Sequence, residues 1–517
     1  MKSLKGSEQN MVLAMYDFAA KQNFIYKTNK IKEIVGASQL IKEAFDDFYC
    51  KLNKINLRLM PREDDFSMER FENEHFNCAV IYEGGGNMFM LFDSEANCEM
   101  ANKKFSRMIY KKTYGLNLVC AHVEYTGDFK TDQNNLYEKS REIKDNTPML
   151  HPVNVLPFTM IDRSTSLPAV ERKRFANEEK PRELSKESLL KLEAYERAKK
   201  ADPDIKKSEK FLDELVEEKG SDSLLALIYI DGNAMGDKVK NLFAETECTS
   251  YDYRAKKLRE FSGQIDTAFQ DKPFEAIKAI EEIKNSNGKL PFRKIIGGGD
   301  EITIICKASI ALKIVKQYFK AVKDYKYDEE QKENFSSCAG IAVFHSHDPF
   351  SEVYKIAEEC CESGKKRNRS HKNNNFYVDF HYCRSGITND LESIRKREEE
   401  EYTNRPYCWH SPLANDTEHC FEKFEIIGKT LQKMSKDHAR GDIKGILDSI
   451  FKGESHFKIE LERLEAKYED FSKEHINEAN KKVIFDVCLF YDLFFAEKKV
   501  EENAEGVEDN VESEDNA

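Results

Sequence analysis

Acidic residues at the ends of two predicted strands are the side chains best placed to do chemistry. Asp231 closes the continuous apolar run 224–230, which is typical of a buried strand. A tight turn, Gly-Gly-Asp-Glu at 298–301, joins the apolar runs 290–296 and 302–306. The glycines tolerate unusual backbone angles and let the main chain approach a phosphate closely.

These two motifs should meet in space if the strands belong to one ferredoxin-like sheet, where the first strand and the central hairpin are neighbours. Two or three carboxylates would then converge on an oxygen-rich site of the kind that Mg²⁺ or Mn²⁺ prefers. A pair of such ions about 3.5–4 Å apart can activate a hydroxyl and stabilise a leaving pyrophosphate. The chemistry indicated is therefore phosphoryl transfer, in which the protein mainly positions groups and neutralises charge.

A basic segment at 363–369 ends the last predicted helix of this part of the chain, whose apolar pattern covers 350–364. A lysine there could reach triphosphate oxygens as a point charge. Cations at a helix end are common because the helix dipole favours them, so the segment gains meaning only from its place beside the two acidic motifs.

The elements that must position these residues form a pattern that occurs twice. Residues 11–160 alternate strand-like and helix-like runs, with a glycine turn at 84–87 between two strands. Residues 224–380 repeat that order. The predicted fold class is α+β, with two ferredoxin-like (βαββαβ) palm domains, a charged helical connector and a C-terminal helical domain.

Changes in composition set the predicted domain boundaries. The connector is dense in Lys, Arg and Glu, and the last 21 residues are too acidic to fold alone. The predicted segments are a first, degenerate palm at 1–165, the connector at 166–220, a second, catalytic palm at 221–384, the helical domain at 385–496 and a disordered acidic tail at 497–517.

Bulk composition narrows the function classes. A net charge of −13 argues against a surface that binds nucleic acid everywhere, while leaving a local basic groove possible. The 13 cysteines contain no CxxC pair, which predicts reduced thiols in a cytoplasmic protein. The apolar run 483–496 is too short to cross a bilayer and carries two aspartates, so no membrane association is predicted.

At the acidic motifs the sequence resembles two related groups of proteins. The turn at 298–302 is similar to the signature of GGDEF diguanylate cyclases, with Ile302 where Phe is usual. A closer resemblance is to the large polymerase/cyclase subunit of type III CRISPR effector complexes. That family usually reads Asp-Gly-Asp-Asn-Met-Gly and Gly-Gly-Asp-Asp, whereas this chain reads Asp-Gly-Asn-Ala-Met-Gly at 231–236 and has Glu301 as the last acid.

Further segments extend the resemblance over about residues 11–490, among them 17–25, 339–342 and 405–407. It implies an antiviral defence enzyme that converts ATP into cyclic oligoadenylate messengers and releases pyrophosphate, using two Mg²⁺ or Mn²⁺ ions. It also implies other subunits of an RNA-guided complex, with guide and target RNA, as partners. Many members begin with an HD nuclease domain; this chain starts at the first palm, so no DNase activity is expected.

The resemblance also assigns roles to individual residues. It implies that the metal ligands and catalytic residues are Asp231, Asp300 and Glu301. The implied nucleotide-binding residues are Gly232, Asn233, Gly298, Gly299 and Lys365.

Two other functions remain open on the sequence. The chain could be a free-standing defence cyclase that makes a dinucleotide or an AMP adduct. Alternatively, because Asn233 departs from the family motif, the palm could bind nucleotide as a non-catalytic scaffold subunit. The first palm has Asn87 where an acid would be needed, so it is predicted to be a non-catalytic partner, with Asp17 in a structural role.

Overall fold

The computed structural model describes most of the chain. The described residues are 10–28, 30–62, 65–146, 158–175, 180–201, 215, 224–243, 248–281, 290–328, 333–346, 348–371, 374–383, 390–399, 401–409, 419–434, 440–469 and 471–496. They form two compact units, Met1–Phe421 and Glu422–Ala517.

The first palm is built on a four-stranded antiparallel sheet in the order β2-β3-β1-β4. Its strands are β1 (Val12–Ala19), β2 (Cys78–Gly84), β3 (Asn87–Phe92) and β4 (Asn117–Glu124). Its helices are α1 (Lys21–Ile25), α2 (Ile31–Lys42), α3 (Ala44–Leu52), α4 (Met68–Asn73), α5 (Glu95–Thr113) and α6 (Phe129–Asn146), with a 3₁₀ turn at Asn53–Ile55. The strand and helix order is the predicted βαββαβ.

The second palm carries a six-stranded sheet in the order β14-β13-β12-β7-β9-β8. Its strands are β7 (Leu224–Gly232), β8 (Phe292–Gly298), β9 (Glu301–Lys307), β12 (Ser337–His345), β13 (Tyr377–Tyr382) and β14 (Tyr407–Cys408). Its helices are α8 (Met235–Asn241), α9 (Tyr251–Ile265), α10 (Lys272–Lys278), α11 (Ala311–Lys323), α12 (Phe350–His371) and α13 (Leu391–Glu398). Two short strands, β10 (Lys326–Asp328) and β11 (Glu333–Asn334), pair with each other beside it.

This second sheet is larger than a βαββαβ unit. Strands β7, β8, β9 and β12 complete that unit, and α12 then leads to β13, which pairs in parallel with β12. The extra strand accounts for the run near 376–380, which the sequence pattern places at the end of the palm.

Between the palms lie a hairpin, β5 (Ala169–Lys173) and β6 (Arg182–Ser185), and helix α7 (Lys186–Ala201). The charge density of this segment predicted helix alone. The second compact unit contains the greater part of α14 (Phe421–Met434), then α15 (Arg440–Lys452), α16 (Glu454–Lys467), a 3₁₀ turn at Glu478–Asn480, α17 (Lys481–Leu489) and α18 (Tyr491–Phe494). Within the described ranges, no helix combines the length and apolarity needed to cross a membrane.

Strand β1 shows how the two palms share one core. Its side chains alternate between the faces of the first sheet, so that Ala14 and Tyr16 join one apolar cluster while Leu13 and Met15 join another. The first cluster includes Leu225 and Leu227 of β7, and the second includes residues of α9. Because each cluster contains residues from both palms, the two palms pack against each other through a shared apolar core.

Helix α12 lies so close to β12 that only glycine fits at the crossing. A Cβ atom added at Gly340 would stand 1.9 Å from the carbonyl oxygen of Ala357 and 2.5 Å from the amide nitrogen of Cys361. Both obstacles are main-chain atoms of α12, so relief would require the helix itself to move. This close approach sets the depth at which α12 presents its side chains to the end of the sheet.

We expect Gly340→Ala to lower the free energy of unfolding by about 3 kcal/mol, because overpacking a rigid contact forces backbone shifts. Urea unfolding followed by circular dichroism measures this loss. The matched control is Gly263→Ala in α9, where an added Cβ meets nothing within 4 Å and alanine favours the helix. Equal unfolding midpoints for the two variants would contradict the proposed close packing.

Candidate functional site

The site lies at the end of β7, where the central hairpin of the second palm crosses beside it. Strand β7 pairs with β9 so that Ile230 faces Ile302, which places Asp231 opposite Glu301 on the same face of the sheet. The hairpin turns at Gly299 and Asp300, between the paired residues Gly298 and Glu301. The predicted convergence of the two acidic motifs is therefore present in the fold.

The side chain of Asp300 lies against β7 beside Gly232. A Cβ atom added at Gly232 would lie 2.9 Å from both the Cβ and the Oδ2 of Asp300. The glycine thus makes room for the Asp300 carboxyl beside Asp231. Gly299 has a positive φ of 60°, the left-handed region that glycine adopts without strain. Gly298 is exposed at the rim of the turn.

Burial and mutual repulsion oppose the simultaneous ionisation of the carboxyl groups at this site. Burial, followed by the charge of Asp231, raises the pKa of Asp300 to about 7. Burial, with the charges of Asp231 and then Glu358, raises the pKa of Glu301 to about 7. The site therefore carries more acid groups than its own surroundings can stabilise as anions.

Lys365 supplies the cation nearest to these acids. Its Nζ lies 2.5 Å from Oδ2 of Asp231. Burial opposes the charge of this ammonium group, but Asp231 raises the pKa of Lys365 overall. The residue lies inside α12, which continues to His371, so the expectation that the helix stops near Gly364 was wrong. Gly364 instead allows close packing, since an added Cβ would meet the Cβ of Tyr377 at 3.0 Å.

The side chain of Asn233 lies inside the protein. It is 3% exposed, and its amide nitrogen donates to Ser336 Oγ at 2.8 Å and to the carbonyl oxygen of Asn375 at 2.9 Å. Its Oδ1 accepts from the thiol of Cys338 at 3.1 Å. The backbone N–H of Asn233 also donates to the carbonyl oxygen of Ser336, at 2.9 Å, so both its side chain and its N–H are occupied by contacts within the protein.

Gln270 is a site residue that the sequence pattern did not reveal. A π-helical turn at Asp266–Asp271 follows α9 and aims this buried side chain at the hairpin. Its Nε2 donates to the carbonyl oxygens of Gly299 and Glu301, each at 2.9 Å. The amide therefore bridges the two residues that flank Asp300. Such π turns interrupt the normal hydrogen-bond ladder and are frequent at functional sites.

Tyrosines cover the other side of the turn. Tyr354 of α12 donates to Oε1 of Glu301 at 3.4 Å. Tyr26 of the first palm stacks on Tyr354 with ring centroids 4.1 Å apart. Glu301 is therefore half-buried beside tyrosines from both palms. Asp300 and Lys365 instead lie beside Asp231.

The donor set fits a hard divalent cation in part. Asp231 and Asp300 offer adjoining carboxylate oxygens, and a bound divalent ion would oppose the effects of burial and of the Asp231 charge, which raise the pKa of Asp300. Across the ranges that the structure describes, no three His, Cys, Asp or Glu side chains already form a complete metal cluster. Glu301 would complete the set only by turning away from Tyr354.

The first palm repeats this geometry with different residues. On β1, Asp17 occupies the position that corresponds to Asp231 on β7. Its neighbour on β3 is Asn87, because the strand register places Tyr16 opposite Met88. Ala20 and Ala234, each three residues after the aspartate, both adopt left-handed angles, with φ of 53° and 52°.

Protein groups satisfy the Asp17 carboxylate. The Nζ of Lys21 lies 3.0 Å from Oδ1, the Nζ of Lys144 contacts Oδ2, and the Phe18 amide donates at 2.7 Å. Assigned by its hydrogen bonds, the Asn87 amide also donates to this carboxylate, at 2.6 Å. With four donors around one buried carboxylate, Asp17 has the structural role expected from the sequence.

The two glycine turns touch across the interface between the palms. A Cβ atom added at Gly299 would lie 3.3 Å from the Cα of Gly85, which also has a positive φ of 60°. Main chain thus meets main chain at this point. The second-palm site and its degenerate counterpart form one continuous junction.

Comparison with known proteins identifies this part of the chain. Residues 224–375 match the family described as Cas10/Cmr2, second palm domain. The resemblance to the large subunit of type III CRISPR complexes is thereby confirmed over the second palm. No curated protein matches the chain.

Solved structures share the fold at low sequence identity. A Csm1-Csm4 cassette in complex with cA4 covers 94% of this chain and 70% of that chain, with 12% identity and a TM-score of 0.55. The match to Csm1 in T.onnurineus covers 94% of this chain and 70% of that chain, with 13% identity and a TM-score of 0.50. The match to a Csm1-Csm4 cassette in complex with AMPPNP covers 72% of this chain and 54% of that chain, with 15% identity and a TM-score of 0.44. This chain therefore spans about half of that one. The α+β fold class is confirmed.

Proposed function

We propose that this chain is the nucleotidyl cyclase subunit of a type III CRISPR-like effector complex. It would join ATP molecules into cyclic oligoadenylates, release pyrophosphate and act in antiviral defence in the cytoplasm. The observation that carries the proposal is the pairing of Asp231 with the Gly-Gly-Asp-Glu turn, within a segment that matches the Cas10/Cmr2 second palm. A further support is the surplus of partly buried acid groups beside Asp231.

The proposed roles follow from these positions. Asp231, Asp300 and Glu301 would hold two Mg²⁺ or Mn²⁺ ions, which when bound activate a 3′-hydroxyl and neutralise charge on the leaving pyrophosphate. Once Asp231 serves as a metal ligand, Lys365 is free to contact the triphosphate as a point charge. Gly232, Gly298 and Gly299 would leave space for the nucleotide phosphates. The partners would be ATP, other subunits, and guide and target RNA.

Mass spectrometry of reaction products tests the function. The chain alone, and the chain assembled with its RNA-guided complex and matching target RNA, is incubated with ATP and Mg²⁺ or Mn²⁺. We expect cyclic oligoadenylates that depend on the target RNA. A dinucleotide or an AMP adduct made by the chain alone would instead identify a free-standing cyclase.

A non-catalytic scaffold is the second candidate, and the Asp231–Lys365 pair favours it. At 2.5 Å this ion pair already satisfies one metal ligand with a protein cation. A scaffold would bind ATP equally well with and without divalent ions and would give no product under any condition. Metal-dependent ATP binding together with product formation would exclude it.

Gln270 provides a prediction about the turn. We expect Gln270→Ala to weaken Mn²⁺-dependent binding of a fluorescent ATP analogue by up to about 30-fold, because two hydrogen bonds worth roughly 1 kcal/mol each no longer hold the carbonyls beside Asp300. The control is Thr267→Ala in the same π turn, whose hydroxyl donates to the Gly263 carbonyl within the helix. Equal affinity in both variants would show that the turn keeps its shape without Gln270.

A further inference from the structure

The first palm carries a groove that shares no residue with the candidate site. It lies between α5 and the segment where α3 passes into the 3₁₀ turn, and it encloses about 520 Å³. Of its nine lining residues, six are cationic: Lys51, Lys103, Lys104, Arg107, Lys111 and Lys112. The other three are apolar: Ile55, Met100 and Met108.

Most of these cationic side chains have no counter-ion among the residues that the structure describes. Lys103 pairs with Glu99, and Lys112 contacts Asp47. The side chains of Lys51, Lys104, Arg107 and Lys111 form no hydrogen bond or ion pair with any described residue. A chain with a net charge of −13 therefore concentrates unneutralised cations in one groove.

Helix stabilisation alone does not account for these cations. A helix dipole favours positive side chains only within the last turn, which on α5 holds Lys111 and Lys112. Lys104 and Arg107 lie earlier in the helix, and Lys51 belongs to α3. Their common property is the groove that they line, which points to an anionic ligand.

Two exposed tyrosines near the end of α5 lie outside the lining of the groove, close in sequence to its cationic residues. Tyr110 and Tyr114 are 55% and 40% exposed, with ring centroids 5.3 Å apart. Tyr110 follows Arg107 by three positions, so it lies beside the cationic strip of α5, and its ring contact holds Tyr114, which caps the end of the helix, next to it. Exposed aromatic faces beside cations are the combination that binds single-stranded nucleic acid, because bases stack while cations contact phosphates.

We propose that this groove binds a single strand of nucleic acid. Lys104, Arg107 and Lys111 span about 10 Å along the helix, roughly the length of three stacked nucleotides. These cations contact the backbone phosphates, while the tyrosine pair and the apolar floor contact bases. The tyrosines favour this ligand over an acidic polypeptide, which would use only the cations.

Fluorescence anisotropy with a 5′-fluorescein-labelled 12-nucleotide poly(U) RNA and the purified full chain tests the proposal. We expect the triple variant Lys104→Glu, Arg107→Glu, Lys111→Glu to bind at least about 30-fold more weakly than the unmodified chain. The slope of log K (the association constant) against log salt concentration should also become less steep by about 2, since three phosphate contacts are lost. Tyr110→Ala should weaken binding about tenfold and leave that slope unchanged, because stacking involves no ion release.

The control makes the same change in net charge elsewhere, with Lys423→Glu, Lys429→Glu and Lys433→Glu on α14. Equal RNA affinity in the groove variant and this control would overturn the proposal, as would a chain that binds no RNA at all. Competition separates the ligand classes: unlabelled poly(U) should displace the probe, and poly-glutamate of equal charge should not. If poly-glutamate competes equally well, the groove is a site for acidic protein and the nucleic-acid proposal fails.

Discussion

Replacing Asp300 with asparagine should lower the rate of ATP conversion by on the order of 1,000-fold. The change keeps the size of the side chain and removes the carboxylate charge that adjoins Asp231. Metal ions contribute several kcal/mol of charge stabilisation to such transition states, and each 1.36 kcal/mol corresponds to a factor of ten in rate. The assay measures pyrophosphate release and cyclic product at saturating ATP.

The matched control for this experiment is Asp237→Asn on α8. Asp237 lies six residues after Asp231, its side chain is 73% exposed, and its partner Lys240 is 3.4 Å away. We expect this variant to keep the activity of the unmodified chain. If Asp300→Asn also retains full activity and full metal-dependent ATP binding, the hairpin is not the metal centre and the proposed site is wrong.

Replacing Asp379 with alanine should cost about 3–5 kcal/mol of folding free energy, the range found when one partner of a buried ion pair is removed. Asp379 on β13 is fully buried and accepts two hydrogen bonds from Arg395, at 2.8 and 2.7 Å. Without it, the guanidinium of Arg395 would stay buried beside Arg405. Urea unfolding at neutral pH measures the loss.

Lowering the pH should remove the stabilisation that the Asp379–Arg395 pair gives to the unmodified chain. Burial opposes ionisation of Asp379, but Arg395 lowers its pKa overall. A group whose pKa is lower in the folded than in the unfolded state stabilises the protein fully above its unfolded pKa, about 4 for aspartate. That contribution disappears as pH falls through the lower folded-state value, so the difference between the unmodified chain and Asp379→Ala should shrink below pH 4.

An exposed pair provides the control for this prediction. Glu352 and Lys355 are 3.1 Å apart on the surface of α12, and such pairs contribute at most about 1 kcal/mol. Glu352→Ala should therefore leave the unfolding midpoint nearly unchanged at every pH. A similar small effect for Asp379→Ala would show that solvent reaches Arg395 once the carboxylate is gone.

Local sequence patterns were sufficient to predict the main acidic groups of the site. A carboxylate at the end of an apolar run and a glycine hairpin are both short-range signals, and the ferredoxin-like strand order is enough to bring Asp231 beside Asp300. The glycine turn of the first palm was recognised for the same reason. These features depend on neighbours in the chain or on a common topology.

Residues whose roles depend on packing were not predicted. Gln270 reaches the hairpin only because a π turn changes the direction of its side chain, and no composition signal marks such a turn. Asn233 belongs to a conspicuous motif, yet its hydrogen bonds to Ser336 and Asn375 come from distant segments. Gly364 indicated a helix end, whereas its place within α12 reflects close contact with β13.

The contact between the glycine turns constrains how this sequence can change over time. Gly85 and Gly299 belong to halves of the chain more than 200 positions apart, yet a Cβ atom added at Gly299 would lie 3.3 Å from the Cα of Gly85, whereas one added at Gly85 would meet nothing within 4 Å. A side chain gained at Gly299 would press on the opposite backbone, so it could persist only if the first palm moved away. The constraint therefore acts in one direction, because the backbone of the degenerate half limits which residues position 299 can accept. Among related sequences, a side chain at the position of Gly299 should occur only where the turn of the first palm is displaced.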